Sequence, residues 1–253
     1  MNALEVRGAS KRFGGLKVID DLSFAVAPGE RLGLIGPNGA GKTTVFNLIT
    51  GVYPLDEGAV FLEGRDLAGV ASRRRIRLGL ARTFQNIRLM PHLTVIENVM
   101  ITQYARAPGL AAMLQPVGLG RRNRWREEAR GALAEAGLGA HADEPAGALP
   151  YGIQKRIELV RALLAAPRVL LLDEPAAGLN PAESQALEEA LERIAARGVT
   201  LVVVEHDMRF VRRLCSRAVV LNFGCKIAEC PVEELDRNAQ VREAYLGAEE
   251  HVA

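Results

Sequence analysis

The sequence predicts an α/β protein: a parallel sheet flanked by helices, with an all-helical segment inserted into it. Three observations carry the prediction. A short apolar run, Arg31-Leu32-Gly33-Leu34-Ile35, leads into the glycine-rich stretch Gly36 to Gly41. Beyond it, Thr43 to Thr50 places Val45, Phe46, Leu48 and Ile49 at helical spacing. Two later runs, Val169 to Leu172 and Leu201 to Val204, are nearly continuous in aliphatic residues, as parallel strands covered on both faces are. Between those runs Pro181 to Arg197 is helical in period and stops at Gly198, so strand and helix alternate as a parallel sheet requires.

Taken in order, Leu4 to Gly8 and Leu22 to Val26 alternate apolar and polar residues, the pattern of half-buried strands. Leu80 to Phe84 reads as another strand, with Gln85 at its end. Thr94 to Leu138 has no strand pattern and reads as helices broken at Pro108-Gly109 and around Pro116 to Gly120. The expected organisation is therefore a core of 1–93 and 166–253, with a helical subdomain, 94–165, inserted into it.

Composition excludes several classes. Hydrophobic residues are 49% and charged residues 25% of the 253, which is ordinary for a globular α/β chain. A net charge of +2 gives no case for a nucleic-acid binder. Two basic runs, Arg73, Arg74, Arg75 with Arg77 and Arg121, Arg122, Arg124 with Arg126, read as solvated helix faces or as contacts for an anionic surface. Cys215, Cys225 and Cys230 form no CxxC pair, which fits reduced thiols. No apolar run reaches the roughly 18–20 residues of a bilayer span, and Met1 to Ser10 does not read as a signal peptide.

The chemistry lies in a few short motifs. Gly36-Pro37-Asn38-Gly39-Ala40-Gly41-Lys42-Thr43 fits GxxxxGK[ST] between a strand and a helix. Its glycines let backbone N–H groups turn inward around phosphates, and the following helix N-terminus adds partial positive charge. Lys42 is expected to reach the β- and γ-phosphates, the Thr43 hydroxyl to ligate Mg2+, and Thr44 to donate to the α-phosphate. Val169 to Asp173 is an aliphatic strand ending in a carboxylate, which sets Asp173 at the sheet edge where α/β ligands bind. Asp173 is expected to hold magnesium, and Glu174 to polarise the attacking water. His206 follows Val204-Glu205 at another strand end. A lone histidine there is commonly structural, but convergence with Asp173 favours a γ-phosphate contact. Gln85 is placed to touch magnesium or the attacking water.

Together these residues resemble the ABC-transporter ATPases over nearly the whole chain. The resemblance implies a P-loop NTPase (RecA-like) core, an N-terminal antiparallel β-subdomain and an inserted α-helical subdomain. Gly36 to Thr43 matches the Walker A loop, Val169 to Asp173 Walker B, and Glu174 the catalytic base. Gln85 matches the Q-loop, His206 the switch histidine, and Ala177-Gly178-Leu179-Asn180 the D-loop. Phe13, within Lys11-Arg12-Phe13-Gly14-Gly15, matches the aromatic that stacks on adenine, although a core role also suits it. The signature, LSGGQ in the family, reads Leu149-Pro150-Tyr151-Gly152-Ile153-Gln154 here. Gly152 is kept, but Pro150 takes the serine position and Ile153 the glutamine position. Proline has neither hydroxyl nor N–H, which removes two donors toward the ATP of an opposing subunit.

Ala81 to Leu89, Leu93 to Asn98, Pro175 to Pro181 and Ala244-Tyr245-Leu246-Gly247 are similar to an ATPase subunit of branched-chain amino acid importers, as is the extra helical segment Arg106 to Trp125. A lipopolysaccharide exporter ATPase shares the motifs but fits these flanking words less well. The resemblance implies ATP and Mg2+ as cofactors and a cytoplasmic, peripheral place at the inner membrane. It implies as partners a second, paralogous ABC ATPase, two integral-membrane permease subunits and, through them, an external binding protein, with no nucleic acid. Two rival classes are a soluble ABC protein acting on nucleic acid and a non-hydrolysing regulator. The absence of a second cassette counts against the first, and Glu174 with His206 against the second.

Overall fold

The computed structural model describes residues 1–106 and 119–246, with side chains for all of these except 104–106, 119–123 and 246. Two sheets form the frame. β1 (Leu4–Phe13) and β2 (Leu16–Val26) make an antiparallel hairpin, with β4 (Glu57–Leu62) and β5 (Arg65–Asp66) continuing the sheet in the order β2-β1-β4-β5. The second sheet runs β10-β9-β3-β8-β7-β6. Its parallel members are β3 (Arg31–Ile35), β6 (Leu80–Arg82), β7 (Val169–Asp173), β8 (Thr200–Val204) and β9 (Arg217–Asn222); β10 (Cys225–Pro231) pairs antiparallel at the edge.

All five residues of β7 and of β8 are buried, as their aliphatic runs require. Alternate side chains of these strands serve two different cores. Leu171, Val202, Val204 and Leu221 face the antiparallel sheet and α1 (Lys42–Thr50). Leu170, Leu172, Leu201 and Val203 face α5 (Tyr151–Leu163), α6 (Pro181–Ala196) and α7 (Met208–Leu214). A third core is wholly helical. It joins Val95, Ile96 and Val99 of α3 (Val95–Arg106), Ala129 and Leu133 of α4 (Leu119–Glu135), and Ile157 and Val160 of α5. Helix α5 therefore packs on both the sheet and the helical unit. Thr94 and Glu97 start α3 with a capping box: Thr94 N–H donates to Glu97 Oε2 at 2.9 Å and Glu97 N–H to Thr94 Oγ1 at 3.4 Å. A short C-terminal helix, α8 (Ala239–Leu246), ends the described chain.

Several expectations shift. β1 and β2 extend well past Gly8 and before Leu22, and β6 stops at Arg82, so Gln85 stands three residues beyond its strand. The breaks at Pro108-Gly109 and Pro116 lie outside the described residues. The first basic run is not a uniform solvated face. Within α2 (Ser72–Arg75), Arg73 and Arg74 are exposed but Arg75 is buried. Its guanidinium donates to Ile49 O at 2.5 Å, Leu67 O at 3.0 Å and Val70 O at 3.1 Å. Those carbonyls include the end of α1, where free oxygens and the dipole favour a cation. In the second run Arg124 is exposed and Arg126 pairs with Asp143 at 3.1 Å, while the side chains of Arg121 and Arg122 lie outside the described residues.

Candidate nucleotide site

The loop between β3 and α1 is shaped by backbone. Gly36 has φ +152°, and a Cβ there would lie 2.2 Å from Leu221 O; Gly41 has φ +101°, and a Cβ would lie 2.7 Å from Ile19 Cδ1. Only glycine fits the first position. Gly41 is the N-cap of α1, with no side-chain cap and no acidic residue in the first turn. The N-terminal amides of the helix are therefore left for an external anion. Lys42 is buried, and its ammonium donates to Gly36 O at 2.7 Å and Pro37 O at 2.9 Å, folding over the loop. Burial lowers its pKa, while Glu174 and Asp173 pull it upward. Thr43, Asn38 and Gly39 are exposed, Pro37 and Thr44 half-buried, and Ala40 packed in the core.

The acid pair sits at the carboxyl end of β7, where Asp173 is in register with Val204 of β8. Asp173 is buried and accepts from Arg82 Nη2 at 2.6 Å. Arg82 Nη1 donates to Asn47 Oδ1 of α1 at 2.7 Å, and its guanidinium lies 5.4 Å from the Phe46 ring and 5.1 Å from the Phe84 ring. Its Nε is buried without a partner. Glu174 adopts a left-handed backbone, φ +45°, and donates its N–H to Val204 O at 2.9 Å. Its Oε2 accepts from Gln85 Nε2 at 2.7 Å. The Gln85 side chain thus reaches the acid despite its distance from β6.

His206 lies beyond β8 with its side chain 61% exposed and Nδ1 3.8 Å from Glu205 Oε2. It lines a cleft with Ala176, Ala177, Gly178 and Leu179. Glu205 is fully enclosed, and burial raises its pKa. It accepts from Ala176 N–H at 2.8 Å and His206 N–H at 3.2 Å, fixing the histidine's backbone to the turn that leads into Ala177 to Asn180. Phe13 is 41% exposed and meets Tyr53 edge-on, with ring centroids 5.1 Å apart. The hairpin that carries it packs on the cradle through Val18 and Ile19 against Gly41. An exposed aromatic face there is suited to stacking on a base.

The signature residues meet the D-loop rather than the cradle. Pro150 is the N-cap of α5, without a side-chain bond. Leu149 is buried, Ile153 half-buried, and Gln154 donates to Leu149 O at 2.7 Å. Tyr151 faces Gly178, and Gly152 faces Glu183, whose carboxylate would meet a Cβ at 2.3 Å. Asn180 accepts from Glu183 N–H at 3.0 Å and donates its own N–H to Glu183 Oε2 at 3.0 Å, so its side chain caps α6.

The fold thus gathers Lys42, Asp173, Glu174 and Gln85 at one sheet edge, with His206 at the next strand end. Sequence reasoning missed Arg82, Asn47, Glu205 and Lys155. A signal existed for Arg82: an arginine inside an apolar strand needs a buried partner.

A profile of ABC transporters matches residues 19–177. The high-affinity branched-chain amino acid transport ATP-binding protein BraF of Pseudomonas aeruginosa is 39% identical over 248 residues, 96% of this chain and 97% of the relative. The corresponding LivG protein of Escherichia coli K12 is 40% identical over 248 residues, with 96% and 97% covered. A probable LivG of Archaeoglobus fulgidus is 34% identical over 263 residues, with 99% and 97% covered. A crystal structure of a nucleotide-free ATP-binding cassette from an ABC transporter superposes with a TM-score of 0.86 at 30% identity, covering 97% of this chain and 99% of that one. The ADP conformation of an ABC transporter cassette gives a TM-score of 0.86 at 30% identity, with 98% and 99% covered.

Proposed function

The chain belongs to the ABC transporter family, and from that premise we propose that it energises import of branched-chain or similar amino acids through a membrane permease. It is an ATP-binding ATPase with a P-loop core, an antiparallel β-subdomain and an inserted helical subdomain. We take 1–93 with 166–253 as the core and 94–165 as the helical subdomain. The identity to BraF and LivG across almost the whole chain supports the cargo class.

In this reading the amides of Gly36 to Thr43 cradle the phosphates, Lys42 swings from its own loop onto the β- and γ-phosphates, and Thr44 donates to the α-phosphate. Phe13 stacks on adenine. Thr43, Asp173 and Gln85 offer oxygen donors of the kind Mg2+ prefers. Ligands from the phosphates and water would complete the coordination of such an ion. The bound ion supplies neutralising charge to the γ-phosphoryl group. Glu174 takes the proton of the attacking water, Gln85 aims that carboxylate, and His206 contacts the γ-phosphate. Leu149 to Gln154 and the Asn180 loop face the nucleotide of an opposing ATPase subunit, proposed to be a paralogue. Two permease subunits, and an external binding protein above them, complete the assembly. The proposed place is peripheral, on the cytoplasmic face of the inner membrane beside the permease. Among the described residues no helix is long and apolar enough to cross a membrane.

The observation that carries the catalytic reading is the meeting of Lys42, Asp173 and the Gln85–Glu174 pair at one sheet edge. Glu174→Gln is expected to leave ATP affinity unchanged and to cut turnover by about 10²–10⁴-fold. Unimpaired hydrolysis by that variant removes Glu174 from the base role. Co-purification of permease subunits, with ATP-dependent uptake of leucine, isoleucine or valine into vesicles, tests the cargo.

A further inference from the structure

Helix α5 begins at the signature and grips the segment after β6 with three side chains on successive turns. Lys155 Nζ donates to Gln85 O at 2.9 Å and lies 3.4 Å from Glu174 O. Glu158 Oε1 accepts from Arg88 N–H at 3.2 Å, and Arg161 Nη1 donates to Arg88 O at 2.5 Å. Arg161 also pairs with Glu158 at 3.1 Å. Lys155 is 6% exposed and Glu158 2%.

Stability alone is a poor reason for this arrangement. Burial lowers the pKa of Lys155 and of Arg161 and raises that of Glu158, so every member is held against a desolvation cost. Buried charge of this kind adds little stability over an apolar side chain of similar size. The geometry has another use. The Lys155 ammonium touches the backbones of two residues, Gln85 and Glu174, whose side chains bond each other at 2.7 Å. The three residues close a ring, one corner of which is fixed to α5. Glu174 is also the residue whose aim is least set by ordinary backbone preference, with its φ of +45°. Its peptide is oriented by its N–H on Val204 O and by the lysine at its own carbonyl.

We propose that Lys155 is a positioning residue for ATP hydrolysis, tying the first turns of the signature helix to the backbones of Gln85 and Glu174. This deepens the reading of the chain as a transporter ATPase and rests on it. An opposing nucleotide that draws on the amides of Tyr151 and Gly152 at the start of α5 moves α5, and α5 moves the acid through the Lys155 ammonium. Arrival of ATP at the signature then governs hydrolysis at this chain's own cradle. Lys155 also lies 5.7 Å from the Tyr151 ring, so the contact begins one turn from the surface that meets the partner.

The test uses the assembled transporter, both ATPase subunits with the permease in lipid, carrying Lys155→Met, Lys155→Gln or Lys155→Arg. Turnover, KM for ATP and affinity for a fluorescent ATP analogue are measured together. Lys155→Met is expected to lower kcat by about 10–10²-fold, the scale of a displaced catalytic group, with KM and analogue affinity within about twofold. Lys155→Arg, which restores a cation of similar reach, is expected to recover most of that loss. Should Lys155→Met fail to assemble, Lys155→Gln, which keeps a donor without the charge, must turn over more slowly than both the parent and Lys155→Arg, and a Gln variant at the parent rate overturns the proposal. A Lys155→Met kcat within about twofold of the parent overturns the proposal, as does a loss confined to KM or one that Lys155→Arg does not repair. The underlying reading is checked separately by Glu174→Gln in the same assembly. If that variant turns over at the parent rate, there is no acid for Lys155 to aim and the proposal falls with it.

Discussion

The cradle and the α5 contact are built from different material. Between β3 and α1 the work is done by backbone: three glycines at positive φ, a helix N-terminus with no acidic residue in its first turn, and one lysine folded over the loop. Between α5 and the segment after β6 it is done by side chains, Lys155, Glu158 and Arg161, each reaching a main-chain atom. Binding is therefore fixed wherever the fold is fixed, whereas coupling rests on three replaceable groups. Damage to the cradle should appear as lost affinity, and damage to the grip as lost turnover.

Arg82 ties the cradle's helix to the acid edge and gives the largest expected effect on stability. It bonds Asp173 at the acid edge and Asn47 on the P-loop helix, with side-chain exposures of 6% for Arg82 and 5% for Asp173. Arg82→Ala strands a buried carboxylate, a change that typically costs about 3–5 kcal/mol. Urea unfolding measures it. A loss below about 1 kcal/mol, the worth of an exposed pair, would mean that cradle and acid edge are held independently.

Gly41→Ala tests the backbone side. A left-handed alanine costs about 1–3 kcal/mol, and its methyl would press on the buried Ile19 Cδ1 at 2.7 Å and on Val18 O at 3.1 Å. The strain falls where α1 presents its first amides, so analogue affinity is expected to drop while turnover at saturating ATP stays near the parent value. A fall in kcat with unchanged affinity would erase the distinction between the two regions.

How much was legible follows the same division. The cradle, Asp173 and Glu174 stand in continuous words of sequence, because a backbone device needs fixed residue types at fixed spacing. Among the parallel strands β7 and β8 were legible because they are buried on both faces and so are nearly continuous in aliphatic residues. β4, β5 and β10 were missed because half-exposed strands carry mixed residues; every residue of β10 is at least partly exposed. β9 was missed too, although Ala218 to Leu221 are buried, because its apolar run is only four residues long. Arg75 was read with its neighbours as a solvated face or a contact for an anionic surface, since nothing local shows that the end of α1 and the carbonyls of Leu67 and Val70 surround it. Lys155 was invisible for a related reason. Its partner Gln85 is 70 residues distant, and a side chain that bonds a main-chain oxygen puts no demand on the identity of the residue it meets. Arg82 did carry a signal, an arginine in an apolar strand, but nothing local names Asp173, 91 residues on, as its partner.

Pro150 gives the smallest effect and the sharpest question about the grip. As the N-cap of α5, at φ −55° and ψ 149°, it lies outside the helix proper and offers no side-chain cap. Pro150→Ser supplies a hydroxyl that can accept from an amide of the first turn, worth about 1 kcal/mol, while the unfolded chain gains freedom worth about 0.4–1 kcal/mol. These nearly cancel, so the melting temperature of the isolated chain should barely move. Activity has no such cancellation. A capping hydroxyl accepts with its lone pairs and keeps its proton to donate, so it can serve α5 and an opposing γ-phosphate together. One hydrogen bond of about 0.5–1.5 kcal/mol predicts a rise in turnover of the assembled transporter of roughly twofold to tenfold. If that gain disappears when Lys155→Met is added, signature and acid act through the same helix. If it persists undiminished, the signature acts on the opposing nucleotide without passing through α5.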